Sequence, residues 1–188
     1  MEAFLTSMGL VALAEIGDRT QILAILLAAR YRRSVPILAG ILAATIAIHV
    51  ASVALGVLIG GFLQGPWMKW ILGGSFLVFA AWTLVPEKLS DEDEPKAIGH
   101  GSVFLTTFVA FFLAEIGDKT QIVAVALGAR FHDVFWVASG TTIGMMLANV
   151  PAVFVGEMAA TRLPVKPMRY IAAAALAAQG VWTLLSPG

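Results

Sequence analysis

The stretch Ala14-Glu15-Ile16-Gly17-Asp18-Arg19-Thr20-Gln21-Ile22 returns as Ala114-Glu115-Ile116-Gly117-Asp118-Lys119-Thr120-Gln121-Ile122, an offset of 100 residues with one change, Arg19 to Lys119. The register does not stop there. It runs on through Ala24/Ala124, Leu27/Leu127 and Arg30/Arg130, then Gly40/Gly140, Val53/Val153 and Gly56/Gly156, then Met68/Met168 and Trp82-Thr83-Leu84/Trp182-Thr183-Leu184. A fixed offset held over most of a chain marks an internal duplication.

The surroundings of the repeated stretch set the solvent. Of 188 residues, 59% are apolar and 13% charged, with mean hydropathy +0.88. Soluble domains carry about 45–50% apolar and about 25% charged residues, so the class is integral membrane and all-α. Six apolar segments run from Ala3 to Ala29, Val35 to Phe62, Trp67 to Val85, Val103 to Ala129, Val134 to Ala160, and Met168 to Leu185. Each is long enough to cross about 30 Å of hydrocarbon at 1.5 Å per residue. Met1-Glu2-Ala3 lacks a basic leader region, so the first segment is expected to stay as a span. The expected organisation is a three-helix repeat over 1–86, an acidic linker over 87–101 containing Asp91-Glu92-Asp93-Glu94, and a second three-helix repeat over 102–188. Three spans per repeat, an odd number, make the second copy enter from the opposite side, giving an inverted-topology repeat.

Charge gives the orientation. Arg30, Arg32, Arg33, Lys88, Lys96, Arg162, Lys166 and Arg169 fall on one face, Lys69 and Arg130 on the other. The positive-inside rule puts the first face in the cytoplasm, both termini outside it, and the linker inside. Net charge is zero, so nothing argues for nucleic acid. With no cysteine, thiolate metal sites and thiol nucleophiles are excluded.

Six charged residues fall near the middle of the first and fourth segments: Glu15, Asp18, Arg19, Glu115, Asp118 and Lys119. Each costs about 2.5–3.5 kcal/mol at bilayer depth on insertion scales, so they must face one another or water. On a continuous helix, Glu15 and Asp18 share a face at i, i+3, as do Glu115 and Asp118; Glu15 and Arg19 form an i, i+4 pair. Gln21 and Gln121 extend the polar stripe. Gly17 and Gly117 weaken the helix there, where unwinding exposes carbonyls, as in broken transporter helices. Four carboxylates against two cations leave two negative charges, the complement of one divalent ion. Glu15, Asp18, Gln21, Glu115, Asp118 and Gln121 form the candidate ligand set, supported by Arg19, Lys119, Thr20, Thr120, His49 and Asn149. An oxygen cage suits calcium, manganese or magnesium rather than zinc or copper. The competing reading makes each motif a Glu–Arg or Glu–Lys pair that glues helices.

Glu15-Ile16-Gly17-Asp18-Arg19-Thr20 and Glu115-Ile116-Gly117-Asp118-Lys119-Thr120, an E-x-G-D-[KR]-[ST] motif occurring twice in a small six-span chain, resemble the cation/proton exchangers of uncharacterised protein family 0016, which include Golgi, chloroplast and bacterial manganese/calcium transporters. The resemblance covers the whole chain. It implies manganese or calcium as cargo, protons as counter-ion, and the motif acids as ligands. No resident cofactor and no enzyme activity are expected. The expected setting is a bacterial inner membrane, with export from the cytoplasm.

His49 and Asn149 occupy equivalent positions and line the path or join helices by hydrogen bonds. Glu157 reads as an end-of-helix acid, and Pro151 as a shaping kink. Gly140-Thr141-Thr142-Ile143-Gly144 reads as close packing, within the bundle or in a homodimer. The five tryptophans fit an interfacial belt. An exporter of cationic amino acids, a passive channel and a membrane enzyme are the alternatives. The last finds no nucleophile constellation or phosphate loop in the sequence.

Overall fold

A computed structural model describes residues 1–62, 67–84, 102–158 and 165–185. These form eight α-helices and no strand: α1 (Glu2–Glu15), α2 (Arg19–Tyr31), α3 (Ser34–Phe62), α4 (Met68–Thr83), α5 (Val103–Glu115), α6 (Lys119–Phe131), α7 (Val134–Met158) and α8 (Val165–Leu185). The acidic linker, Lys88, Lys96 and Arg162 lie outside the described residues, as do the side chains of Glu157, Lys166 and Arg169. Among the described residues two helices are long and apolar enough on their own to cross a membrane, over Ser34–Gly61 in α3 and Val134–Gly156 in α7. Pro151 sits inside α7, which continues through it.

The first and fourth apolar segments are not single helices. Each breaks at the repeated motif. α1 ends at Glu15, Ile16 turns extended, Gly17 takes φ +79°, and Asp18 starts α2 as its N-cap. The second half repeats this with Ile116, Gly117 at φ +76° and Asp118. A positive φ is what glycine tolerates and other residues resist. The Asp caps accept the Thr20 and Thr120 N–H groups at 3.4 and 3.3 Å, meeting donors that a new helix leaves unsatisfied. The i, i+4 pair between Glu15 and Arg19 and the shared helical faces of each Glu and Asp therefore do not form: the break separates their helices.

The packing keeps its pattern when the halves are exchanged. α1 packs on α7 as α5 packs on α3; α2 packs on α7 as α6 packs on α3; α3 meets α7, and α4 meets α8. Glycines make the close approaches. A Cβ on Gly40 would sit 2.8 Å from the Phe104 carbonyl oxygen, and one on Gly140 2.5 Å from that of Phe4, the equivalent residue. Gly56 against Val125 and Gly156 against Ile25 repeat the correspondence at 2.1 and 2.5 Å. Gly144 packs on the Met8 carbonyl oxygen, so the G-x-x-x-G stretch joins α7 to α1 inside the bundle. Small residues allow this where lipid offers helices no hydrophobic drive to associate. All five tryptophans are exposed on the outer surface.

Candidate metal centre

The two helix breaks meet. Glu15, at the end of α1, is fully buried and receives hydroxyl hydrogen bonds from both halves: Thr20 donates to Oε2 at 2.9 Å and Thr120 to Oε1 at 2.6 Å. Thr120 Oγ1 also lies 2.8 Å from Asp118 Oδ2, and Thr20 Oγ1 3.3 Å from Asp18 Oδ2. Thr120 thus ties an acid of one half to an acid of the other.

The ion pairs cross over as well. Arg19 Nη2 donates to the Ala114 carbonyl oxygen at 2.7 Å and lies 3.4 Å from Asp118 Oδ1. Lys119 Nζ pairs with Asp18 Oδ1. Each cation neutralises the Asp of the opposite half. The reason is local: the break points Arg19 and Lys119, the first residues of α2 and α6, away from the Glu of their own motif.

Glu15, Glu115 and Asp118, all buried, each offer an oxygen lying within 4.8 Å of the others. Oxygens on opposite sides of a calcium ion stand about 4.6–5.2 Å apart, at twice the 2.3–2.6 Å bond length. The cluster has the span of one coordination shell. Both oxygens of Glu115 are buried without a hydrogen-bond partner among the described residues. Leaving a carboxylate so placed is costly unless a cation or a proton joins it.

Gln21 and Gln121 brace the turns. Their amide oxygens accept the Gly17 and Gly117 N–H groups, each at 2.8 Å, and Gln21 Nε2 donates to the Ala148 carbonyl oxygen at 3.0 Å. Asp18 stands outside the three-acid cluster, on Lys119. His49 is fully buried with neither ring nitrogen hydrogen-bonded among the described residues, and Asn149 donates to the Met145 carbonyl oxygen at 3.1 Å. Sequence reasoning passed over Thr45 and Ser52, buried with unpartnered hydroxyls at i−4 and i+3 from His49. It also passed over Ser7 and Thr107, a buried pair at equivalent positions. Their spacing was the available signal. The glycine break was the signal for a freed carbonyl such as that of Ala114; the backbone acceptor Ala148 left none.

The divalent cation/proton antiporter GDT1 family matches residues 3–91 and 103–187, nearly the whole chain. The chain belongs to that family. A Vibrio cholerae protein named "Putative manganese exporter" is 47% identical over 174 residues, covering 92% of this chain and 86% of its own. Two plant proteins, GDT1-like protein 4 of rice (Oryza sativa) and GDT1-like protein 3 of Arabidopsis thaliana, are 28% identical over 86% of this chain. The chain spans 66% and 63% of their respective lengths. No solved structure matches. Membership in the GDT1 family makes the chain an integral membrane antiporter of divalent cations and protons, and the buried acids are the charge such a carrier needs inside a bilayer.

Proposed function

We propose that this GDT1-family chain exports manganese or calcium from the cytoplasm of a bacterial cell in exchange for protons, using Glu15, Glu115 and Asp118 as the cation's carboxylate ligands. The observation that carries the reading is the three-acid cluster, assembled from both halves at the meeting of two helix breaks. Asp18 and Lys119 complete the charge balance, Thr20 and Thr120 orient the acids, and Gln21 and Gln121 hold the turns. His49 and Asn149, buried on α3 and α7, are assigned to line the path from the cluster.

Carboxylates bind metal only when deprotonated, so protons and cation compete for the same oxygens. The cation enters from the cytoplasm as protons leave, and protons from the far side later displace it. In this reading the chain has two repeats, 1–86 and 102–188, joined by the cytoplasmic linker 87–101. α1 with α2, and α5 with α6, each make one broken span, giving six spans in inverted repeat with both termini outside the cytoplasm. Exchange-symmetric packing and the 100-residue offset support it. Alternating access follows when one repeat rocks against the other.

The test is reconstituted uptake of manganese, calcium and magnesium, with and without a pH gradient. Flux of manganese or calcium is expected to follow the gradient, and Asp118→Asn is expected to abolish it. Full-rate transport by Asp118→Asn, or flux indifferent to the gradient, overturns the assignment. Inhibition by lysine rather than by a second divalent cation points to an organic cation as cargo.

A further inference from the structure

Arg19 and Lys119 are the one difference between the two nine-residue motifs, and the structure makes them unequal. Lys119 is 5% exposed and pairs with an Asp18 side chain that is 0% exposed and outside the three-acid cluster. Arg19 is 28% exposed, and its acid, Asp118, is a member of the cluster. The residues around Arg19's contact are open too: Ile116 and Gly117 are exposed, whereas Gly17 in the first break is buried. A partly exposed guanidinium in a membrane-spanning chain is tolerable only against water or protein, and the Arg19 side is the more open side of the centre.

From this we infer that Arg19 is a displaceable latch: the arriving divalent cation takes Asp118 from it, and that exchange loosens α2 from α5, while Lys119 stays on Asp18 as a fixed strut. The inference rests on the proposed cation site. At equal distance a doubly charged ion attracts a carboxylate twice as strongly as a guanidinium does, and at this site it engages Glu15 and Glu115 as well as Asp118. Among the described contacts Arg19 holds the second half at two points, the Asp118 carboxylate and the Ala114 carbonyl oxygen, so removing the carboxylate weakens a clamp between the halves. Binding and loosening then become one event, which is what a carrier needs if the loaded and empty forms are to differ in mobility. Arg19 acts through Asp118 and is a positioning residue.

The experiment compares wild type, R19Q, R19K and K119Q in liposomes, reading manganese KM and maximal rate, and measures thermal unfolding of the detergent-solubilised proteins without cation. R19Q is expected to lower KM about tenfold, the worth of one charge-assisted contact no longer competing. Its maximal rate should not fall, since the latch no longer resists the loosening that loading brings, and R19K should return KM toward the wild-type value. K119Q, which takes the lysine counter-charge from a fully buried Asp18, should lower Tm far more than R19Q. An R19Q whose KM is unchanged or raised overturns the latch, as does an R19Q that unfolds as early as K119Q. If wild type carries neither manganese nor calcium, the proposed cation site itself fails; wild-type flux with an indifferent R19Q sinks the latch alone.

Discussion

Glu15 and Glu115 hold equivalent positions in the sequence and unequal ones in the structure. Glu15 accepts two hydroxyl hydrogen bonds, whereas neither oxygen of Glu115 has a hydrogen-bond partner among the described residues. Replacing each by glutamine separates binding from folding. In E15Q the new amide keeps one accepting oxygen and turns an NH2 toward a threonine hydroxyl, which can accept it, so charge-assisted bonds weaken to neutral ones at about 1 kcal/mol. In E115Q the substitution exchanges a buried charge without a hydrogen-bond partner among the described residues for a neutral amide, the less costly of the two to bury. Without cation, E15Q should therefore melt below wild type, and E115Q at or above it. Both should lose the rise in Tm that manganese gives wild type, a rise worth about 2.7 kcal/mol at a hundred times Kd. Thermal unfolding with and without manganese checks this; a full manganese response in E115Q removes that residue from the proposed ligand set.

At the scale of the element, the broken helices and the long helices that hold them rest on glycine for opposite reasons. Gly17 and Gly117 are needed for their positive φ; Gly56 is needed because α3 lies against the Val125 carbonyl oxygen of α6, where a Cβ would come within 2.1 Å. Gly61, on the same helix, meets nothing within 4 Å. Gly56→Ala should lower Tm by several degrees, overpacking a backbone contact at about 1–3 kcal/mol or more. Gly61→Ala should leave Tm unchanged or raise it slightly, since alanine is the better helix former. Equal Tm for the two variants in a thermal melt contradicts the close α3–α6 approach. The break itself was legible: a glycine between two acids inside an apolar segment is a weak point that any reading of the sequence meets. The pairing across the break was not. Spacing along a chain describes neighbours on one continuous helix, and it assigned Arg19 to Glu15. Once Gly17 turns the backbone, Arg19 belongs to a new helix and meets residue 118, a contact no local periodicity encodes.

For the whole molecule, the duplication is read from the fixed offset, and the packing of the eight described helices keeps its pattern when the halves are exchanged. Handedness toward the membrane is a separate property. The proposed inversion makes a sharp demand on two equivalent residues, Arg32 and His132, which close α2 and α6 in the same left-handed conformation at φ 48° and 52°. If each broken pair α1–α2 and α5–α6 crosses once, in opposite directions, Arg32 emerges in the cytoplasm and His132 outside. The chain has no cysteine, so single cysteines at these positions report alone. A cysteine at either site replaces one side chain in a left-handed cap by another, so the fold should tolerate both. An impermeant thiol reagent applied to intact cells should label His132→Cys and spare Arg32→Cys, with Ser90→Cys in the acidic linker also spared. Labelling of positions 32 and 132 from the same side makes the repeats parallel, and the two halves could no longer present the shared acids alternately to opposite faces by rocking.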